Sequence, residues 1–473
     1  VVPLEVNYVS TRGEAPALSF TDVVLTGLAR DGGLYVPEHW PVLDAATIAG
    51  FAGKPYAEVA EAVIAPFVGD DISRPALRRM IDEAYAAFRH PAVTPLVQVA
   101  PGHFLLELFH GPTLAFKDVA MQLLARLMDH ALAERGQRAT IVAATSGDTG
   151  GAAVEAFRGR ANADLFVLFP AGRVSDVQRR QMTTAPDGNV HALAVDGTFD
   201  DAQALVKGMF NNHAFRDRVQ LSGVNSINWG RIVAQVVYYF VAAAALGSPA
   251  RKVSFTVPTG NFGDIFAAYA AKRMGLPIER LVIATNVNDI LARTVESGRY
   301  EPRGVRQTTS PSMDIQVSSN FERLLFEATG RDGAAVRRMM AGLSQSGGFD
   351  IDGATLDAIR AEFDAGASDE AATAAAMARV HQETGLVIDP HTATAVAVAE
   401  RHLDPKVPMV TLATAHPAKF PDAVLAATGV APALPSHLHD MMTRPERQSA
   451  VANDLSAVEG LIEARARAVR VAG

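Results

Sequence analysis

No cysteine occurs anywhere in the 473 residues. Disulfides, thiolate metal sites and a cysteine nucleophile are therefore excluded, and the redox compartment stays undecided. Charge is also sparse: 20 % of residues are Asp, Glu, Lys or Arg, and 43 basic against 51 acidic residues leave a net charge of −8. A mildly acidic chain argues against nucleic acid or an anionic membrane as the main partner. Long apolar runs are missing as well. The uncharged stretch Ile232 to Leu246 is shorter than the roughly 20 residues of a membrane span, and it contains Gln235, Tyr238 and Tyr239. It reads as a helix buried between layers. The first thirty residues carry Glu5, Arg12, Glu14, Asp22 and Arg30, so they hold no apolar signal core. The expectation is a cytoplasmic protein.

What is abundant is apolar residue, at 49 %. At roughly 150 residues per domain, the length predicts about three lobes. Residues 1–90 read as an α-rich cap, 91–430 as a core of two α/β lobes, and 431–473 as a loop and final helix. From about Gly102, short β-branched or apolar runs alternate with glycine-rich turns and amphipathic segments. Strands are predicted at Ala139–Thr145, Leu165–Phe169, Val190–Val195, Lys252–Val257, Leu281–Thr285 and Pro408–Ala413, and residues 352–384 read as mostly helical. This alternation implies parallel sheets covered on both faces, with ligands beyond the carboxyl ends of the strands.

Four motifs fall at such positions. In H-G-P-T-L-A-F-K-D, the apolar spacing after Phe116 predicts a helix with Thr113 as N-cap and Lys117 in the first turn. The partial positive charge at a helix N-terminus would lower the lysine pKa and favour a nucleophilic amine. The alternative is a surface lysine that snorkels into water. P-T-G-N-F-G-D, Pro258 to Asp264, sits between a strand and a helix, where backbone N–H groups could hold a phosphate; a tight βα turn is the plainer alternative. It matches neither the nucleoside-triphosphate nor the dinucleotide fingerprint. T-S-G-D-T-G-G, Thr145 to Gly151, offers hydroxyls and amides suited to a carboxylate, or simply a turn capped by Ser146 or Asp148. Ala144 rules out a G-x-S-x-G nucleophile elbow. T-L-A-T-A-H-P places Thr414 beyond a strand. His437, His439 and Asp440 lack further ligands nearby, so no metal is expected.

Taken in order, Y-V-S-T-R-G, G-L-A-R-D-G-G-L-Y-V-P, H-G-P-T-L-A-F-K-D, S-G-D-T-G, N-S-I-N-W-G-R, P-T-G-N-F-G-D, S-P-S-M-D-I-Q-V-S-S-N-F-E-R and D-P-H-T-A resemble the threonine synthases of the long bacterial and fungal type. These are fold type II pyridoxal-phosphate enzymes with a tryptophan-synthase-β-like α/β core. The resemblance covers nearly the whole chain. It implies pyridoxal 5'-phosphate as cofactor and Lys117 as the Schiff-base lysine. It implies a phosphate loop of Gly260, Asn261, Phe262, Gly263 and Asp264, acting chiefly through backbone N–H groups, and Thr414 on the pyridine nitrogen. A hydroxyl there, unlike a carboxylate, does not hold that nitrogen protonated. Wider relatives often carry asparagine where this chain has Asp148, facing the cofactor's phenolic oxygen. An ionised Asp148 would meet a like charge there, so it is either protonated or turned elsewhere.

The implied reaction converts O-phospho-L-homoserine and water to L-threonine and phosphate, a small-molecule conversion in amino-acid biosynthesis. Ser146, Gly147 and Thr149, with Asp148 beside them, are the candidates for the substrate carboxylate. The leaving phosphate needs a cation: Arg231 is the first candidate, then Asn225, Asn228 and Arg12. For Arg231 the alternative is a salt-bridged helix cap. A phospho-lyase giving 2-oxobutyrate would share Lys117 and the early steps, and a non-catalytic cofactor-binding module is the rival of another class. Long-type relatives imply a monomer or weak homodimer. The roles of His110 and His391 stay open.

Overall fold

The computed structural model describes residues 6–145 and 147–471. Two parallel-rich sheets, each wrapped by helices, form its frame. The first has five strands in the order Ser449–Val451, Val190–Val195, Ala163–Pro170, Ala139–Ala144 and Leu221–Ser222, all parallel. The second has six, in the order Phe363–Ala367, Ile278–Thr285, Val253–Pro258, Met409–Ala413, His103–Glu107 and Leu96–Ala100. Only the last pair in that sheet is antiparallel. Every residue of Ala163–Pro170 and of Val253–Pro258 is buried. Helices on both faces exclude water, which is why these strands read as continuous apolar runs rather than alternating ones.

Residues 8 to 85 form a two-stranded ribbon, Tyr8–Ser10 with Tyr35–Pro37, and helices that include Tyr56–Val68 and Arg74–Tyr85. The uncharged stretch is the helix Trp229–Ala245, buried except at Val241 and Ala245. It packs against Tyr56–Val68, the Lys117–Glu134 helix and the Gly263–Arg273 helix. Its all-round apolar surface thus serves a three-sided contact. No helix among the described residues is long and apolar enough to cross a membrane.

Two elements depart from expectation. Residues 352–384 are not continuous helix: Phe363–Ala367 is an edge strand between helices Gly353–Glu362 and Glu370–Thr384. Its sequence, F-D-A-G-A, carries no strand signal, and pairing with Ile278–Thr285 overrides local propensity. The tail is not only loop and helix, because Ser449–Val451 extends the first sheet beside Val190–Val195. The final helix is Leu455–Arg465.

Candidate active site

All four motifs follow the carboxyl end of a parallel strand. His103–Glu107 leads to the Lys117 turn, Ala139–Ala144 to the Thr145 turn, Val253–Pro258 to the Gly260 turn, and Met409–Ala413 to Thr414. Leu114 takes a left-handed conformation, φ 63°. Ala115 then bridges Ala415, and the Phe116 N–H donates to the Thr414 carbonyl at 2.8 Å. The helix therefore begins at Lys117, and Thr113 is not its cap. Thr113 instead donates its amide and hydroxyl to the two Asp118 carboxylate oxygens at 2.8 and 2.6 Å. The left-handed residue breaks the helical run that the apolar spacing implied.

Lys117 does not snorkel. Its side chain is 12 % exposed, and its Nζ lies 3.9 Å from Asp148 Oδ2. Burial pulls its pKa down to about 8; Asp148 opposes this, while Arg231 and Lys419 reinforce it. Asp148 opens the helix Asp148–Phe157 and is buried. Its Oδ1 accepts from Lys419 Nζ at 2.8 Å and from Gln178 Nε2 at 3.0 Å. Burial would raise the Asp148 carboxyl, but the two ammonium groups and these hydrogen bonds outweigh it and hold the pKa well below the ordinary carboxylate range. Of the two alternatives set out above, protonation is therefore disfavoured: Asp148 is an anion with its own cation.

The Gly260 turn is built to leave its amides free. Ser318 Oγ donates to the Gly260 carbonyl at 2.7 Å. The Asn320 amide and side chain donate to the Asn261 carbonyl at 3.0 and 2.9 Å. The amides of residues 260 to 263 make no hydrogen bond among the described residues. Phe262 is left-handed, φ 65°, and caps the helix Gly263–Arg273. A Cβ on Gly260 would lie 2.7 Å from the Ser312 carbonyl, so only glycine fits. The Asp264 carboxylate turns away to the hydroxyls of Tyr238 and Tyr239. Burial raises its pKa to about 6 against the lowering effect of those hydrogen bonds. Asp264 can thus offer a phosphate its amide but not its side chain. Thr414 is buried, and its carbonyl accepts from the Phe116 amide. Free amides at a helix N-terminus, a cradle closed to any Cβ, a buried lysine and a buried threonine at a strand end suit a phosphorylated pyridine aldehyde.

The carboxylate candidates are placed less simply. Ser146 lies outside the described residues. The Gly147 and Gly150 amides both donate to Thr145 Oγ1 at 2.9 Å, so the Thr145 hydroxyl organises this turn, and Asp148 does not act as its cap. Gly147 has φ 145°, and a Cβ there would meet Gln178 at 2.3 Å. Thr149 is half-buried in the first turn of the helix. Arg231 is buried on Trp229–Ala245; its Nη1 donates to the Val224 carbonyl at 3.3 Å, and its Nε has no partner. Burial lowers its pKa to about 10, and no carboxylate offsets this. The salt-bridged-cap alternative therefore finds no partner among the described residues. Asn225 is exposed. Asn228 is a buried cap, donating to the Val24 carbonyl and accepting from the Gly230 amide. Arg12 is committed to Glu322, with two contacts at 3.0 Å.

Both open histidines have partners. His391 lies 2.7 Å from Asp389 through Nδ1 and accepts the Ser312 amide at Nε2, which holds the segment that closes over Gly260. His110 pairs with Glu107 at 2.7 Å on the wall of a cavity of about 310 Å³ that His416 and His437 also line. No group of acidic and histidine side chains able to hold a metal occurs among the described residues. Sequence reasoning missed Lys419, Gln178, Thr145 and the Tyr238–Tyr239 pair. Of these only Thr145 stood inside a motif; the others are brought in from remote segments.

Comparison with known proteins places the whole chain. Residues 7–85 match the model for the threonine synthase N terminus, residues 88–415 that for pyridoxal-phosphate dependent enzymes, and residues 392–462 that for the threonine synthase C-terminal region. The chain is 51 % identical to the threonine synthase of Pseudomonas aeruginosa over 96 % of its own length and 98 % of the relative's. It superimposes on the PLP-bound threonine synthase of Brucella melitensis with a TM-score of 0.96 and 63 % identity, covering 98 % of this chain and 100 % of that one. The yeast threonine synthase gives 0.93 and 38 %, covering 98 % and 99 %. With three family segments that together run from residue 7 to 462 and near-complete coverage on both sides, the chain belongs to the threonine synthase family.

Proposed function

We propose that the chain is a pyridoxal-phosphate-dependent threonine synthase that converts O-phospho-L-homoserine and water to L-threonine and phosphate. The observation that carries this reading is the Lys117 amine, buried at a helix start, 3.9 Å from a carboxylate already paired to a second lysine, and so available as a neutral base. The cofactor, when bound, supplies an electron sink that acidifies the carbon bearing the substrate's amino group.

The chain's own residues do the rest. Lys117 would carry the cofactor aldehyde and, once displaced by the substrate amine, take the proton from Cα at its Nζ, hand that proton on to the conjugated cofactor–substrate framework and, neutral again, take one from Cβ. The amides of Gly260, Asn261, Phe262, Gly263 and Asp264 would hold the cofactor phosphate, and the Thr414 hydroxyl the ring nitrogen. The Thr149 hydroxyl, together with Ser146, is proposed for the substrate carboxylate, the Gly147 amide being engaged by Thr145 Oγ1; Asp148, paired to Lys419, would keep the Lys117 amine placed. Arg231 is proposed for the phosphate that leaves Cγ, with Asn225 at the rim. Exclusion of water until phosphate departs requires the lobes to close. We place the enzyme in the cytoplasm as a monomer or weak homodimer of three parts, residues 1–90, 91–430 and 431–473.

Incubation with O-phospho-L-homoserine, with phosphate and amino acid followed together, tests the reading. Equal amounts of phosphate and threonine are expected. Phosphate with 2-oxobutyrate in place of threonine would replace synthase by phospho-lyase, and no turnover with cofactor bound would leave only a binding module.

A further inference from the structure

Two lysines converge on one buried carboxylate. Lys419, at the end of the 3-10 turn Pro417–Lys419, is fully buried. Its ammonium donates to Asp148 Oδ1 at 2.8 Å, to the Thr113 carbonyl at 2.8 Å and to Gln181 Oε1 at 3.2 Å. An ammonium has three N–H donors, and all three are used. The acceptors are themselves fixed. Gln181 Nε2 donates to the same Thr113 carbonyl at 3.0 Å, Thr113 is clamped by Asp118, and Gln178 shares Asp148 Oδ1. Lys117 is buried beside the same carboxylate but is not held by it. Among the described residues its only acidic neighbour within 4 Å is Asp148 Oδ2, at 3.9 Å and so beyond hydrogen-bond distance, and its Nζ lies 4.8 Å over the Phe116 ring.

Charge counting then separates the two amines. Asp148 and Lys419 cancel, so Lys117 faces a neutralised carboxylate, and a proton on Lys117 leaves the cluster with an excess buried charge. The other charged groups facing Lys117 are Arg231 from the Trp229–Ala245 helix, Asp118 from its own helix, and Asp264 from the Gly263–Arg273 helix. Only Asp148 and Lys419 form a direct ion pair beside it. We infer that Lys419 is a positioning residue for the reaction, which occupies Asp148 as its permanent counter-ion and so keeps that carboxylate from holding Lys117 as an ammonium. The inference rests on reading Lys117 as the reactive amine.

The test labels cofactor-free full-length protein with a brief pulse of an acylating reagent across pH and reads the Lys117 peptide by mass spectrometry. Lys419→Met should move the labelling midpoint up by at least about one pH unit, a roughly tenfold loss of labelling at pH 7, because Asp148 then claims Lys117. Asp148→Asn, nearly isosteric, should move it down by a similar amount, since Lys419 then acts uncompensated. The double variant should return it to the wild-type value or below, which loss of a merely structural contact would not do. An unchanged or lower midpoint in Lys419→Met overturns the inference, as does an unchanged or higher one in Asp148→Asn. Should Lys419→Met fail to fold, Lys419→Gln, which keeps hydrogen-bonding capacity without the charge, takes its place and must move the midpoint up in the same way. Borohydride reduction of the holoenzyme reads the other assumption separately. A pyridoxyl label on another side chain would remove Lys117 from its role while leaving the labelling midpoints as measured.

Discussion

Arg231 gives the sharpest forecast, because two opposite effects are expected from one substitution. It is a buried guanidinium in the first turn of a helix, where the dipole is unfavourable to a cation; among the described residues it has one hydrogen bond at 3.3 Å, an orphaned Nε and no carboxylate partner. The fall in its pKa from 12.5 to about 10 corresponds to about 3 kcal/mol of cost to the charged form, to order of magnitude. Arg231→Met removes the charge and keeps most of the length. In phosphate-free buffer the variant should be more stable by roughly 1–3 kcal/mol, since an uncompensated buried cation is replaced by an apolar chain. Against O-phospho-L-homoserine it should lose a charge-assisted hydrogen bond of about 1.5–3 kcal/mol, a roughly 10- to 150-fold rise in KM, with cofactor affinity little changed. Calorimetric Tm, steady-state kinetics and cofactor titration measure the three quantities. Arg231→Met that melts lower than wild type without phosphate, with KM unmoved, would make Arg231 a structural cap and refute the argument. A fall in cofactor affinity as large as the rise in KM would assign it to the cofactor phosphate.

Other expectations follow from single contacts. Gly260→Ala puts a methyl 2.7 Å from a backbone carbonyl that cannot turn aside, so the turn must shift and cofactor Kd, read from the visible absorbance, should rise about tenfold or more while the far-ultraviolet circular dichroism stays unchanged. Acylation of Lys117 in cofactor-free protein should rise about tenfold per pH unit up to about 8 and then level off; at pH 7 about a tenth of the amine is neutral, and a plateau only above pH 10 would contradict the burial argument. His391→Leu strips a partner from buried Asp389 and from the Ser312 amide, and should cost about 2–4 kcal/mol in urea unfolding. An effect below 0.5 kcal/mol would show that the Asp389–His391–Ser312 chain does not hold the Gly260 cradle.

The strands whose apolar runs are flanked by glycine turns were legible because burial on both faces writes itself into consecutive residues: Val190–Val195 has the bounds the sequence implied, and the others shift by one to three residues. The placement of the Gly260 turn and Thr414 was legible for a related reason: each lies one or two residues past a strand end, and strand ends of a parallel sheet point to one place, whereas Lys117 follows its strand end Glu107 only after a turn held by Thr113 and Asp118. The edge strand Phe363–Ala367 was not legible, because its pairing partner lies about 80 residues away and no local preference marks it.

The sequence by itself thus determined the α/β class, the family and the short turns whose chemistry is local: a lysine in a first helical turn, glycines where amides must be bare, a threonine after a strand. Tertiary structure alone decided the electrostatics. Whether Asp148 is an anion depends on Lys419, far along the chain, and whether Arg231 has a counter-ion depends on what the fold leaves beside it. The reason is physical: backbone geometry is set by near neighbours in sequence, whereas the energy of a buried charge is set by everything within a few ångströms in space, wherever in the chain it originates.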